Sequence, residues 1–350
     1  MDSFFTHPSF DHHEQVIFVS NANSGLRGII AIHSTALGPA AGGCRMYPYK
    51  SVDEALNDVL RLSRGMTMKN AAANLPLGGG KCIIIADPSK PNKEDLLRAM
   101  ARQVQRLAGN YWTAIDVGVS AEDADIMADE CDYIFARASD FSVDYPPSEF
   151  TSIGGFYGIS AVAEHLRGNS DLNGLRVAIQ GVGQTGARLA ALLVEQGANV
   201  VVADVNEQAV SKVVDEHGVL AVEPSEIHKQ AVDIFSPCAM GGILNKKTIA
   251  ELNCKGIAGL ANNQLEMPEN GEQLLRRGVA YAPDFIVNAG GMMGASMPIF
   301  SSPDKDKSLQ NIRGIFDVVQ EILMRSEKEN LPTEDIAEQM ALEKINAVSD

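Results

Sequence analysis

The sequence predicts an α/β protein of two units, the second built on a doubly wound, mostly parallel sheet. Three observations carry this. Short β-rich runs alternate with helical stretches along most of the chain. A polar segment without helical period, Ser139 to Ser148 with Pro146-Pro147 inside it, breaks that alternation and marks a crossing between domains. The chain has 350 residues, enough for about two domains of roughly 150 residues.

Val16-Ile17-Phe18-Val19 and Gly28 to Ile32 are β-rich runs around the turn-like Asn21 to Gly25, so the chain opens with strands. Ser51-Val52-Asp53-Glu54 reads as a capping box, after which Ala55, Val59, Leu62 and Met66 recur at helical spacing and Lys69 continues the stripe. Cys82 to Ala86 is an unbroken apolar run closed by Asp87-Pro88, a buried strand, and Glu94 to Leu107 is helical. A strand over Tyr111 to Ile115, a helix over Ala121 to Glu130 and a strand over Tyr133 to Ala136 complete the first unit. Beyond the crossing, a helix over Ile153 to Leu166 leads to a strand ending at Ile179, a glycine turn, a helix over Ala187 to Gln196 and a strand over Asn199 to Ala203. Asp233 to Ser236, Gly256 to Leu260 and Ala280 to Ala282 continue the sheet, and Gln310 to Ser326 and Thr333 to Asn346 are terminal helices.

Composition removes several functional classes. Lys+Arg 29 against Asp+Glu 45 gives a net charge of −16, which repels a nucleic-acid backbone and an anionic bilayer alike. The five cysteines are scattered without a C-x-x-C pair, so neither a disulfide framework nor a zinc knuckle is indicated, and reduced thiols in a cytoplasm fit best. Met1-Asp2-Ser3-Phe4-Phe5 lacks the basic and apolar regions of a signal peptide, and no stretch reaches about 18 consecutive apolar residues, so neither export nor membrane insertion is expected. His12-His13-Glu14 invites a metal-dependent hydrolase, but no H-E-x-x-H or comparable ligand spacing exists, and no metal is expected.

Gly181-Val182-Gly183-Gln184-Thr185-Gly186 is G-x-G-x-x-G where a buried strand ends and a helix begins. The first glycine permits the tight turn, the second lets backbone N–H groups approach a pyrophosphate, and the third lets helix and strand pack closely. The helix N-terminus then faces the anion. Asp204 ends the next strand, 23 residues after Gly181, where a carboxylate accepts hydrogen bonds from an adenosine ribose and repels a 2′-phosphate. NAD is therefore expected rather than NADP, in a Rossmann-type domain. A plain tight turn with Asp204 capping the next helix is the bland alternative.

Asn74 to Lys81 superficially resembles a phosphate-binding P-loop, yet Leu75 stands where that motif needs glycine and Cys82 where it needs a hydroxyl, so nucleoside triphosphate hydrolysis is rejected. Lys81, between glycines and an apolar run, is expected to lose hydration and to titrate nearer neutrality, as a general base does. A lysine snorkelling from a strand end is the ordinary alternative. Lys69, in the apolar stripe of its helix, needs an anionic partner, either a substrate carboxylate or a buried acid. Asp116 at a strand edge could exchange protons with an amine, or simply cap a turn.

Gly38-Pro39-Ala40-Ala41-Gly42-Gly43-Cys44-Arg45, Gly65-Met66-Thr67-Met68-Lys69-Asn70, Pro76-Leu77-Gly78-Gly79-Gly80-Lys81 and Ala261-Asn262-Asn263-Gln264-Leu265 together resemble the glutamate, leucine, phenylalanine and valine dehydrogenases. Tyr281-Ala282-Pro283-Asp284 and Asn288-Ala289-Gly290-Gly291 extend the likeness over nearly the whole chain, closest to the leucine and phenylalanine branch. The resemblance implies that Lys69 holds the substrate α-carboxylate with main chain at Gly43, that Lys81 activates water and that Asp116 shuttles protons at the amino group. The implied reaction passes hydride from Cα to NAD, hydrates the imine and releases ammonia and a 2-oxo acid. Thr151 and Asn262-Asn263 match positions near the nicotinamide, and Cys238-Ala239 matches a loop lining the cofactor. It further implies a substrate and oligomerisation domain of residues 1–143 and 331–350, an NAD domain of residues 144–330, a cleft closing between them, and a homo-oligomer.

Glutamate dehydrogenases usually carry a lysine where Ala41 stands here, so an apolar, monocarboxylic amino acid is expected. Ala114 and Ala295 match other pocket positions and are also small, while Met292 adapts its shape to what remains, which opens the pocket to leucine, valine, phenylalanine or tryptophan. Pro147-Ser148-Glu149-Phe150 before Thr151 departs from the family pattern, and Glu149 has no role in this reading. Two other readings compete: a 2-hydroxy acid dehydrogenase with the same cofactor, and a catalytically silent NAD-binding regulator. Retention of Lys69, Lys81 and Asp116 argues against the second.

Overall fold

The structure, a computed structural model, describes residues 4–140, 146–300 and 305–349. Met1 to Ser3, the expected boundary at 143/144 and half of the predicted crossing lie outside the described residues. The chain forms two units, one of residues 1–143, 295–303 and 340–350, the other of residues 144–294 and 304–339.

The first unit is built on a mixed sheet of β1 (Gln15–Asn21), β2 (Leu26–Ser34), β3 (Ala40–Tyr47), β4 (Gly78–Ile85) and β5 (Tyr111–Ala114), in the order β1-β2-β4-β3-β5. β2 runs antiparallel to both β1 and β4, whereas β3 is parallel to β4 and β5. α1 (Val52–Ala72) starts at Ser51, whose hydroxyl accepts from Glu54 N at 3.0 Å and so satisfies an amide the helix leaves open. α2 (Lys93–Gln105) and α3 (Ala121–Ala128) follow β4 and β5, and Ser120 and Asp123 close a capping box at α3. The two-residue period of the strands sorts the core. Ile29, Ala31 and Ile83 pack with Ala55, Val59 and Leu60 of α1, while Ile30, Ile32, Cys82 and Ile84 pack with Leu97, Met100 and Val104 of α2. Each such Ile or Leu removed from water contributes about 1.5–3 kcal/mol.

The structure differs from the sequence reading at four places here. β3 has no predicted counterpart, because paired glycines in a strand carry no β signal. β4 begins at Gly78, so Lys81 lies inside the strand rather than before it. Tyr133 to Ala136 makes a single bridge, Ile134 to Thr113, instead of a strand. On α1 the fully buried positions include Ala55, Val59, Ser63 and Thr67, and the expected stripe of Leu62, Met66 and Lys69 is the half-buried one beside it.

The second unit begins with α4 (Pro147–Arg167), followed by β6 (Arg176–Gln180), α5 (Gln184–Glu195), β7 (Asn199–Ala203), α6 (Glu207–His217) and β8 (Leu220–Ala221). β9 (Ile234–Pro237), α7 (Lys246–Glu251), β10 (Gly256–Ile257), α8 (Glu269–Arg276) and β11 (Ala280–Tyr281) continue it. The sheet order is β11-β10-β9-β6-β7-β8 with every neighbouring pair parallel, the doubly wound arrangement expected. α9 (Asp284–Val287), α10 (Gly290–Ala295), α11 (Met297–Phe300), α12 (Lys305–Glu329) and α13 (Thr333–Ser349) close the chain. α13 passes to the first unit at residue 340, inside the helix, where the sequence places the return at 331. No helix among the described residues is long and apolar enough to cross a membrane, and no group of three or more His, Cys, Asp or Glu there could hold a metal ion.

Candidate active site

In the first unit the fold brings Lys81 and Asp116 into contact. β4 is the central strand of five, so Lys81 is only 6% exposed, and its ammonium pairs with Asp116 Oδ2. Asp116 follows β5, where the chain leaves the sheet, and its Oδ1 accepts from Val117 N at 2.6 Å, with Arg45 Nη2 3.5 Å away. Burial opposes charge on Asp116, but the Lys81 ammonium, Arg45 and the Val117 amide outweigh it and hold the carboxyl below its ordinary range.

Glycines bring main chain against this pair. A Cβ on Gly43 would strike Ile115 O and come within 2.9 Å of Asp116 Cβ, so only glycine lets β3 run this close. Ala41 is fully buried and sits opposite Gly79 and Trp112, and Ala114 is opposite Gly43. Thr67 of α1 lies directly on Gly79, so the end of the helix that carries half-buried Lys69 runs over the glycines preceding Lys81. Met292 is half-buried and Ala295 buried, both on α10, with Met292 in the second unit and Ala295 in the first.

In the second unit the glycine turn opens α5. Gly181 has φ +96°, and a Cβ there would meet Ala239 N at 2.8 Å, while one on Gly186 would strike Gly181 O. Gly183, the N-cap of α5, has open space around its Cβ position and, lacking a side chain, makes no capping bond of its own to the amides that follow. That cradle, with a helix N-terminus facing it, fits a pyrophosphate, and exposed Gln184 and half-buried Thr185 form the first turn. Asp204 Oδ2 accepts from Val182 N at 2.8 Å and Oδ1 from Asn206 N at 2.9 Å, and the cap of α6 is Asn206, not Asp204. A cavity of about 290 Å³ lies beside it, lined among others by Gly181, Asp204, Ala239 and Ile243, room for an apolar ring system.

The remaining cofactor candidates cluster in the same unit. Cys238 N donates to Gln180 O at 2.7 Å and its side chain lies beside Gly186; burial pushes its thiol upward. Asn263 adopts φ +53° and its carbonyl accepts from Gly242 N at 2.8 Å, while Asn262 Oδ1 accepts from Asn288 Nδ2 at 2.9 Å. The Asn262-Asn263 turn thus abuts the loop after Cys238-Ala239. Thr151 lies within α4, which begins at Pro147 rather than near Ile153. Glu149 gains a role there: Arg188 of α5 donates to both its oxygens, at 3.0 and 2.8 Å, and Ser152 Oγ donates to Thr185 O, so the first turns of α4 and α5 are tied together.

Sequence reasoning missed two sets of residues. One is this Glu149–Arg188 pair. The other is the set behind Asp116, in which Arg45 Nη1 donates to Asp58 Oδ2 at 2.9 Å and Tyr49 O–H donates to the same oxygen at 2.5 Å. Arg45 was in view only as the end of a glycine motif.

The chain is similar to leucine dehydrogenase of Geobacillus stearothermophilus, 42% identical over 99% of this chain and 94% of that one. It is likewise similar to phenylalanine dehydrogenase of Bacillus thermotolerans, 40% identical over 99% and 92%. Its fold matches the crystal structure of L-tryptophan dehydrogenase from Nostoc punctiforme with a TM-score of 0.88, 39% identity and 97% of each chain covered. Fold and relatives define the class, an amino-acid dehydrogenase, an oxidoreductase acting on CH–NH2 donors. The Glu/Leu/Phe/Val dehydrogenase dimerisation domain matches residues 13–134, and the Glutamate/Leucine/Phenylalanine/Valine dehydrogenase domain matches residues 146–218 and 203–349. The chain belongs to this Glu/Leu/Phe/Val dehydrogenase family.

Proposed function

We propose that the protein catalyses the reversible, NAD-dependent oxidative deamination of an apolar L-amino acid to its 2-oxo acid and ammonia. The observation that carries this reading is the buried Lys81–Asp116 pair set against main chain at Gly43. Gly181, Gly183, Gln184, Thr185 and Gly186 would hold the pyrophosphate, Asp204 the adenosine ribose, and Thr151, Cys238, Ala239, Asn262 and Asn263 the nicotinamide side. Bound there, NAD supplies a hydride acceptor for the substrate Cα.

The rest is proton handling by the chain's own groups. Lys69 offsets the α-carboxylate, with Gly43 main chain beside it. In its unprotonated form the Lys81 amine, held in place by its contact with Asp116, takes a proton from the water that adds at the imine carbon. Asp116 exchanges a proton with the substrate nitrogen, which leaves as ammonia. Ala41, Ala114, Met292 and Ala295, the positions taken to meet the substrate side chain, are themselves uncharged, so a second carboxylate there would find no partner among them. Leucine, phenylalanine and tryptophan, the substrates named for the relatives, all meet that requirement. The Asp204 carboxylate disfavours a 2′-phosphate and so favours NAD. The match to a dimerisation domain supports a homo-oligomer, and the five free thiols suit a reducing compartment such as a cytoplasm.

The test is NADH formation with leucine, valine, phenylalanine, tryptophan and glutamate, repeated with NADP and with Lys81→Ala. The expected outcome is turnover of apolar amino acids with NAD, lost at least about 10²-fold in the variant. Ammonium must be required in the reverse direction. Reduction of a 2-oxo acid without ammonium, or preference for glutamate, overturns the reading.

A further inference from the structure

We propose that Arg45 is a positioning residue for the Lys81–Asp116 pair, held by Asp58 and Tyr49 so that its guanidinium keeps Asp116 ionised and turned toward Lys81. The inference rests on the roles just proposed for that pair. Asp116 has two carboxylate oxygens with different duties. Oδ2 faces Lys81; Oδ1 is fixed by Val117 N at 2.6 Å and faced by Arg45 Nη2 at 3.5 Å. Without the guanidinium, a carboxylate in this buried place would have only the Val117 amide and one cation to hold its charge, and that cation, Lys81, is the base of the pair.

Arg45 is aimed by residues outside the pair. Its Nη1 donates to Asp58 Oδ2 at 2.9 Å, Asp58 projects from α1, and Tyr49 O–H donates to the same Asp58 oxygen. The Tyr49 hydroxyl keeps its proton, since burial and the neighbouring Asp58 push its pKa up, so it remains a donor in this chain. Arg45 stands with its side chain 22% exposed, and burial works against its charge, but Asp116 and Asp58 outweigh that. The charged and titratable groups facing Asp116 are Lys81 from β4, Arg45 from β3 and, through the sheet, the Cys44 thiol, whose own ionisation Asp116 opposes.

The geometry separates charge from mere packing. Arg45→Gln removes the cation, and Arg45→Lys retains it near the same place. Loss of a cation beside a coupled acid and base moves both protonation steps upward, so the limbs of the kcat/KM profile against pH should shift by roughly 1 unit to higher pH in Arg45→Gln. In Arg45→Lys the limbs should stay close to wild type, and Asp58→Asn, which frees Arg45 to turn away, should fall between. The profiles are to be taken on the full-length enzyme with whichever amino acid and nicotinamide cofactor the wild type uses, so a failure of the substrate assignment leaves this test intact. Thermal melting of each variant records folding separately. A profile unmoved in Arg45→Gln, or moved equally in Arg45→Lys, overturns the proposal. If Lys81→Ala retains turnover, the pair's role fails instead.

Discussion

The Asp204 carboxylate accepts two main-chain hydrogen bonds before any ligand arrives, from Val182 N and Asn206 N. An ionised carboxylate offers about four lone-pair directions, so two remain for a ribose diol. The same group therefore fixes the glycine turn and, in the proposed function, would also read the cofactor. Asp204→Ala should lower the melting temperature, at about 1 kcal/mol or somewhat more for each lost bond, and raise KM for NAD. Asp204→Asn keeps an oxygen acceptor and loses only charge, so it should cost less stability while narrowing the NAD-over-NADP ratio. Steady-state kinetics with both cofactors checks this, and an unchanged ratio in Asp204→Asn would remove Asp204 as the discriminating residue. Asp204 and Lys81 were legible from their places at the end and beginning of apolar runs. Arg45, Asp58 and Tyr49 were not, because their meeting depends on where α1 lies on the sheet, which no local pattern records.

Elements were legible wherever apolar periodicity was dense. The end of β4 and the middle of β6 stand out because Cys82 to Ile85 and Val177 to Ile179 are unbroken apolar runs, whereas β3 and the start of β4 are glycine-rich and carry no such signal. α4 starts ahead of its predicted place because Pro147 opens it and Ser148 and Glu149 follow, a boundary set by proline at the helix start and by the Glu149–Arg188 pair rather than by period. Glycine is thus poor as a marker of secondary structure and rich as a marker of close approach. α5 lets the two meanings be separated by mutation. Gly183 has φ −65° and open space, so alanine fits without strain. Gly183→Ala should leave melting unchanged yet weaken NAD binding about tenfold or more, ~1.4 kcal/mol, because the added methyl fills the cradle. Gly186→Ala meets Gly181 O and should destabilise the fold itself. Calorimetric titration with NAD beside thermal melting distinguishes them; equal loss of stability in both variants would refute the division.

Across the whole molecule, one carboxylate links stability to the pH at which the chemistry runs. Glu334 lies at the start of α13, with Thr333 Oγ1 3.4 Å from its Oε2 and with Oε1 buried and lacking a hydrogen-bond partner among the described residues. Burial, with repulsion from Asp284 and Asp335, pushes its pKa up from 4.5 to about 8. Between those two values the unfolded chain has lost the proton and the folded chain still holds it, so the folded state binds more protons and rising pH favours unfolding. The penalty grows from about pH 4.5 upward and is complete above about pH 8. A net charge of −16 adds general self-repulsion over the same range. The deamination proposed above, from an ammonium substrate to free ammonium with NAD as hydride acceptor, would also liberate one proton, so alkaline conditions that draw it forward charge Glu334 at the same time. Glu334→Gln carries no ionisable group there and should melt above wild type by a margin that widens from about pH 5.5 to about pH 8.5. Paired melting curves at those two pH values isolate the effect, because every other titrating group is common to both proteins. A margin equal at both would show that Glu334 ionises as freely in the folded protein as in the unfolded chain.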